Sequence, residues 1–143
     1  MRVITYVVVA AGLLCGVFAL SAREHADERL RGITSVFVSG NNQAAEGARA
    51  EIGKGKTCFA LATKTAEADA VVDISAESQS QGGEFGSLGG REWIASATVT
   101  LKSGDLIWSR SERFGDAPFK SGGKTAGMLL VHKLAIAASC KDR

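Results

Sequence analysis

Three groups of residues have types and spacings that could do chemistry. The first is Phe119-Lys-Ser-Gly-Gly-Lys-Thr-Ala-Gly127, in which Gly123-Lys124-Thr125 has the ending of a phosphate-binding loop. Such a loop curls backbone amides around phosphate oxygens and needs a glycine six residues ahead of the lysine. That position is Pro118, which has no amide hydrogen and a fixed φ. A buried parallel strand should also precede the loop, and here the chain runs through polar Arg110-Ser-Glu-Arg113. The stretch therefore reads as the entry to a helix with Ser121 as a cap, and nucleotide binding is not expected.

The second group is Gly82-Gly-Glu-Phe-Gly-Ser-Leu-Gly-Gly90. Its spacing does not give a dinucleotide fingerprint, and a strand pattern follows it where a helix should start. Two readings stay open: a connection whose Phe85 and Leu88 fold back on the sheet edge, or a partner-binding loop of Gly82, Gly83, Phe85, Leu88 and Gly90.

The third group is the titratable residues. His25 lies near the start, and His132 falls in a terminal helical pattern beside Lys133, which reads as that helix's polar side. A serine nucleophile needs a base within hydrogen-bond reach, and no glycine-flanked elbow serine accompanies either histidine. Beyond residue 22, two histidines and two cysteines without short spacing give no zinc pattern. Asp69 and Asp73 lie in an extended segment and need not meet. Trp93 and Trp108 fall on neighbouring strands, where packing is the usual role. No catalytic, cofactor-binding or metal-binding residue is assigned.

The elements that would position these residues follow from periodicity. Ile33–Val38 is β-branched and aromatic, a strand. Asn42 can cap a helix over Gln43–Ile52, thin in apolar residues, weakened by Gly47 and ended by Gly53 and Gly55. Thr57–Ala62 is a second strand. In Ala70–Glu77, Val72, Ile74 and Ala76 alternate with Val71, Asp73, Ser75 and Glu77. Trp93–Lys102 alternates likewise, Ser103-Gly104 reads as a two-residue hairpin turn, and Leu106–Arg113 returns. Lys124–Cys140 is helical. The order β-α-β-β-β-β-α predicts an α+β two-layer sandwich, a mostly antiparallel sheet of about five strands with two helices on one face. The first β-α-β unit should be right-handed, with its two strands parallel if they share the sheet.

The chain has 143 residues, 45% hydrophobic and 22% charged, which suits one domain over residues 33–143. Residues 1–22 have a basic start, an apolar centre and small residues at the end, the pattern of a cleaved signal peptide. A retained anchor over residues 3–22 or lipidation of Cys15 are the alternatives, and a membrane is a partner only if this segment stays. Residues 23–32 read as a tether. Loss of Arg2 with the leader leaves 16 basic against 15 acidic residues, a balance that disfavours nucleic acid as a partner. Once Cys15 is gone, Cys58 and Cys140 remain in an exported chain, and a disulfide between them is expected.

The Glu67–Ile74 segment EADAVVDI, the hairpin ASATVTLKSGDLIWSRSER over residues 95–113 and the terminal helix together resemble small exported bacterial α/β envelope domains. These include lipoprotein families of uncharacterised type and, more loosely, the N-terminal domains of TolB-type and curli-secretion-type periplasmic proteins. The likeness spans residues 33–140 and consists of strands, not of a catalytic signature. It implies a periplasmic or secreted accessory domain that binds an envelope or secreted protein, through the glycine-rich loop and a sheet edge. The alternative from another class is a small periplasmic hydrolase or ligand-binding protein with a pocket between sheet and helices.

Overall fold

The computed structural model describes residues 25–26, 28–80, 91–115 and 122–140. The signal-peptide, Ser121-cap and glycine-rich-loop readings, the last with Gly82, Gly83, Phe85, Leu88 and Gly90, lie outside the described residues. The strands are β1 (His25–Ala26), β2 (Ser35–Ser39), β3 (Ala60–Leu61), β4 (Ala70–Ser80), β5 (Arg91–Leu101) and β6 (Leu106–Gly115), with helices α1 (Gln43–Gly53) and α2 (Gly122–Ala137). They form one six-stranded sheet in the order β1-β6-β5-β4-β2-β3. β2 is parallel to both β3 and β4, and the other pairs are antiparallel. The α+β architecture with an open sheet is the one expected from the sequence; the first two predicted strands are parallel as expected, and they are also neighbours.

Alternation explains the layers. Val36 and Val38 of β2, Val72 and Ile74 of β4, Ala95, Ala97 and Val99 of β5 and Trp108 of β6 are all buried on the face that the helices cover. The register places Val72 opposite Val99 and Ile74 opposite Ala97, so one face of the sheet is a continuous apolar surface. The opposite face is polar, with Ser96 and Ser111 hydroxyls 2.9 Å apart across β5 and β6. Burying the apolar face against the helices is the main source of stability.

The two helices meet unusually closely, and Gly47 is the reason. A Cβ added at Gly47 would lie 2.1 Å from the carbonyl oxygen of Lys124, and one at Gly127 would lie 1.8 Å from that of Ala44. The glycine that weakens α1 as an isolated helix is thus the residue that lets α2 approach it. Asn42 caps α1 as expected, its Oδ1 accepting from the Ala45 amide at 3.0 Å, while its Nδ2 donates to Ile74 O at 2.8 Å and ties the cap to β4.

Four local expectations are corrected. Residues 28–32, read as part of a tether, form a 3₁₀ turn whose Leu30 is fully buried in the core. Arg29 pairs with Asp105 at 2.8 Å beside it, and β1 adds a short strand against Trp108 and Ser109. The second predicted strand, Thr57–Ala62, shrinks to Ala60–Leu61, because its register with β2 is only two pairs long, Ser35 with Ala60 and Val36 with Leu61, flanked by bonds from Ala60 N to Thr34 O and Ala62 N to Val36 O at 2.7 and 2.9 Å. The β5–β6 turn has three residues, not two: Leu101 and Asp105 close it, and Gly104 takes φ +91°, which completes a type I turn with a left-handed residue. A register shift follows, leaving Ile107 as an extra residue between Leu106 and Trp108. Finally α2 stops at Ala137 instead of reaching Cys140: Ser139 adopts φ +54° and turns Cys140 back toward the domain.

The two edges of the sheet differ. On β2 the carbonyls of Thr34 and Val36 point outward to β3, so the Val38 carbonyl does the same beyond the end of β3. That position is taken by Arg49 of α1, whose guanidinium donates to Val38 O at 3.1 and 3.3 Å and to Gly40 O at 2.6 Å. A charged side chain therefore stoppers this edge. On the other side, among the described residues, β1 covers Trp108 and Ser109 alone, while β6 continues to Gly115.

Candidate functional site

The functional geometry gathers where the end of α1 meets the end of α2. The inward stripe of α1 runs through Ala44, Ala48, Glu51 and Ile52, spaced to face the core, so Glu51 is carried inward with its apolar neighbours. It is the one buried charged residue among those described, 3% exposed. A buried carboxylate needs partners, and it has two. Lys54 Nζ donates to Oε2 at 2.8 Å, and His132 Nε2 lies 2.8 Å from Oε1. The hydrogen bond from Lys54, then that from His132, hold the Glu51 carboxyl below its ordinary range against the opposing effect of burial.

Around this pair lies a cleft of about 690 Å³. One wall is the connection leaving α1, where Gly55 takes φ +69° and is followed by Lys56, Thr57 and Cys58. The facing wall is α2 with His132, Ala135, Ile136 and then Cys140. The Cys58–Cys140 disulfide, with Cα atoms 5.2 Å apart, joins the two walls. The expected bridge is present, and it sits in the cleft as well as at the chain end.

His132 corrects the sequence reading, which saw only a polar helix surface. It has an orienting carboxylate, and the pairing was invisible because its partner is 81 residues away. The single available signal was a glutamate placed in the apolar stripe of α1. A carboxylate accepting from Nε2–H leaves Nδ1 as the ring's remaining polar atom. Nucleophilic chemistry would further need an attacking group hydrogen-bonded to the ring, and the two cysteines that line the cleft are bonded to each other. Among the described residues no group of three His, Cys, Asp or Glu side chains is arranged to hold a metal ion. The arrangement is suited to binding.

The remaining sequence candidates separate. Gly123-Lys124-Thr125 lies within α2 itself: Lys124 pairs with Glu46 at 3.2 Å, and Gly123 packs against Gln43 and Trp93. Trp108 faces Val99 in the core and Trp93 faces Phe114, so the tryptophans share a face without being cross-strand partners. Asp69 and Asp73 do not meet. Asp73 lies opposite Ser39 and Thr98, whereas Asp69 Oδ2 accepts from the Thr34 and Ser35 amides at 3.0 and 2.9 Å and from the Thr34 hydroxyl at 2.8 Å. The backbone amides of Thr34, then Ser35, hold the Asp69 carboxyl far below its ordinary range.

The sign of the pH dependence follows. Asp69 and Glu51 both have folded values below those of the free side chains, 3.8 and 4.5, so their contribution is complete above about pH 5 and is lost as pH falls. Urea midpoints should therefore fall steadily from pH 5 downward. Asp69→Asn should lose about 1 kcal/mol at pH 7, modest because the site is exposed, and should flatten the decline. An unchanged slope would show that the carboxylate is not what joins β2 to the start of β4.

The chain matches no protein-family profile and no curated protein sequence. Among solved structures it is similar to the PelC dodecamer from Paraburkholderia phytofirmans, with TM-score 0.56 and 16% identity over 81% of this chain and 95% of that one. A single-substitution variant of that dodecamer superposes with TM-score 0.53 at 16% identity, over 81% and 95% of the two chains. A minor lipoprotein from Acinetobacter baumannii gives TM-score 0.42 and 10% identity over 74% and 94%. The PelC superpositions show a shared fold. No described helix is long and apolar enough to cross a membrane.

Proposed function

We propose that this chain is an exported envelope accessory domain that works by binding a protein along the outer edge of β6, not by catalysis. The observation that carries the reading is the difference between the sheet edges. One is two residues long and stoppered by Arg49; the other runs on past β1 through Ser111 to Gly115. A strand edge offers backbone donors and acceptors to an incoming strand, and this is a general mode of recognition. The Cys58–Cys140 bridge supports an oxidising compartment, and the leader pattern of residues 1–22 supports export. The partner is an envelope or secreted protein. Because the PelC fold neighbour was solved as a dodecamer, further copies of this chain are the first partner to test.

The test uses the native host. The mature chain should appear outside the cytoplasm with its N-terminus near Ala22 or Arg23. Intact Met1 in the membrane fraction would replace the cleaved leader by an anchor, and a lipid-modified Cys15 at the N-terminus would make the chain a lipoprotein. A photo-crosslinking residue at Ser111 should give defined covalent products, and one at Leu61 on the opposite edge should not. No product from Ser111, or equal products from both, would overturn edge binding. The ligand-binding alternative expected a pocket between sheet and helices; the cleft beside Glu51 lies instead between the α1–β3 connection and the end of α2.

A further inference from the structure

We propose that the cleft between the α1–β3 connection and the last turns of α2 binds a small organic carboxylate: one negative charge on a short apolar body. The inference is independent of binding at β6. The cleft, about 690 Å³, is of a size that takes small molecules.

Its charge selects the head group. Among the described lining residues Glu51 is the sole carboxylate, and both its oxygens are engaged, one by Lys54 and one by His132. That leaves the Lys56 ammonium without a compensating charge within the lining, and it leaves His132 oriented by Glu51 with half its side chain exposed, 52%. No buried side-chain polar atom among the described residues lacks a partner, so the pair is a finished scaffold, not an unsatisfied group awaiting a cation. A second carboxylate can be met by the Lys56 ammonium, and by the Thr57 hydroxyl once it turns from its long 3.5 Å bond to Phe59 O.

The apolar side selects the body. Ile136 is 64% exposed, the most exposed of the described large hydrophobic residues, and it lines the cleft beside Ala135 and the disulfide. An inorganic anion would leave this surface wet, and a neutral hydrocarbon would leave the cation unused. A bridge of Cys58 to Cys140 across the walls keeps the cleft open in the free protein, so little binding energy is lost to ordering it.

The carboxylate could belong to a free acid or to the C-terminus of a peptide, and two probes separate these. The disulfide-intact mature chain is titrated at low salt with hexanoate and with N-acetylleucine, following backbone amide shifts. Saturable shifts at Lys56, Thr57 and Ile136 are expected, with a dissociation constant on the order of 1 mM. Hexanol and N-acetylleucinamide should bind about tenfold more weakly, the worth of one hydrogen bond to a charged group. Lys56→Gln should weaken the acids about threefold and leave the neutral analogues unchanged. Ile136→Ser should weaken both. Both positions are exposed, so neither variant should disturb the fold. Tighter hexanoate points to a free acid, and tighter N-acetylleucine to a chain terminus. Absence of saturable shifts, equal affinity for the neutral analogues, or equal binding of inorganic phosphate would overturn the proposal.

Discussion

Gly127→Ala should unfold this domain at a temperature about 10–15 °C lower than the native chain, a loss of about 3 kcal/mol. In an ordinary helix the same change stabilises by up to about 1 kcal/mol, because alanine has less backbone entropy to lose. Here the new methyl would lie 1.8 Å from the Ala44 carbonyl oxygen and 2.6 Å from its carbon. Those atoms belong to a helix backbone and cannot swing aside as a side-chain tip would. The helices must separate, and every apolar contact between them and the sheet loosens with them. Gly53→Ala is the internal control: it lies in the last turn of the same helix pair, and nothing stands within 4 Å of its added Cβ. It should be neutral or slightly stabilising. If Gly127→Ala melts with the native chain, the close crossing of α1 and α2 is wrong.

Removing the Cys58–Cys140 bridge should have a comparable effect by a different route. The bridge spans 82 residues of sequence, and closing so long a loop restricts the unfolded chain by about 4–5 kcal/mol on the chain-entropy account, an upper figure. The folded state also depends on it, since Ser139 sits in a left-handed conformation that costs an L-residue about 1 kcal/mol and Cys140 anchors the chain just beyond it. Urea unfolding with and without reductant should shift by about 2–5 kcal/mol, and the double variant Cys58→Ser/Cys140→Ser should match the reduced native chain. A midpoint indifferent to reductant, with thiols demonstrably free, would show that packing alone holds the end of α2.

These two features stood differently in the sequence. The bridge was legible because a leader-like pattern points to an oxidising compartment and, with Cys15 set aside in that leader, two cysteines are left. The helix crossing was not, since Gly47 reads locally as a weak helix residue, and only the facing backbone of α2 reveals why it is there. Strands β4 and β5 were legible where they alternate, over Ala70–Glu77 and from Trp93, but their paired ends at Ser80 and Arg91 were not, because polar Ser78-Gln-Ser80 and Arg91-Glu92 carry no apolar period. Residues 28–32 were misread for the opposite reason: Glu28-Arg-Leu-Arg-Gly32 carries a single apolar residue, with no period to announce that Leu30 is core. Glu51 and His132 share the limitation of the helix crossing. Each has an ordinary local reading, and the site exists only because two helix ends distant in sequence are brought together. The hairpin turn was missed by one residue, because Ser103-Gly104 satisfies a two-residue turn as well as the end of a three-residue one.

Arg49 has a consequence for symmetry. A sheet with two usable edges can add copies head to tail without end, which is the geometry of a fibre or, if the rotation closes, of a ring. A sheet with one edge blocked can meet a second copy only through the same edge on both, related by a two-fold axis. Pairing through β6 would then stop at two chains, each using up the other's edge. A larger closed assembly would have to use a second, different surface for every further contact. Were chains to pair by their edges, the guanidinium on Val38 and Gly40 would leave only Ala60–Leu61 to extend on that side, and one side chain would bear on stoichiometry.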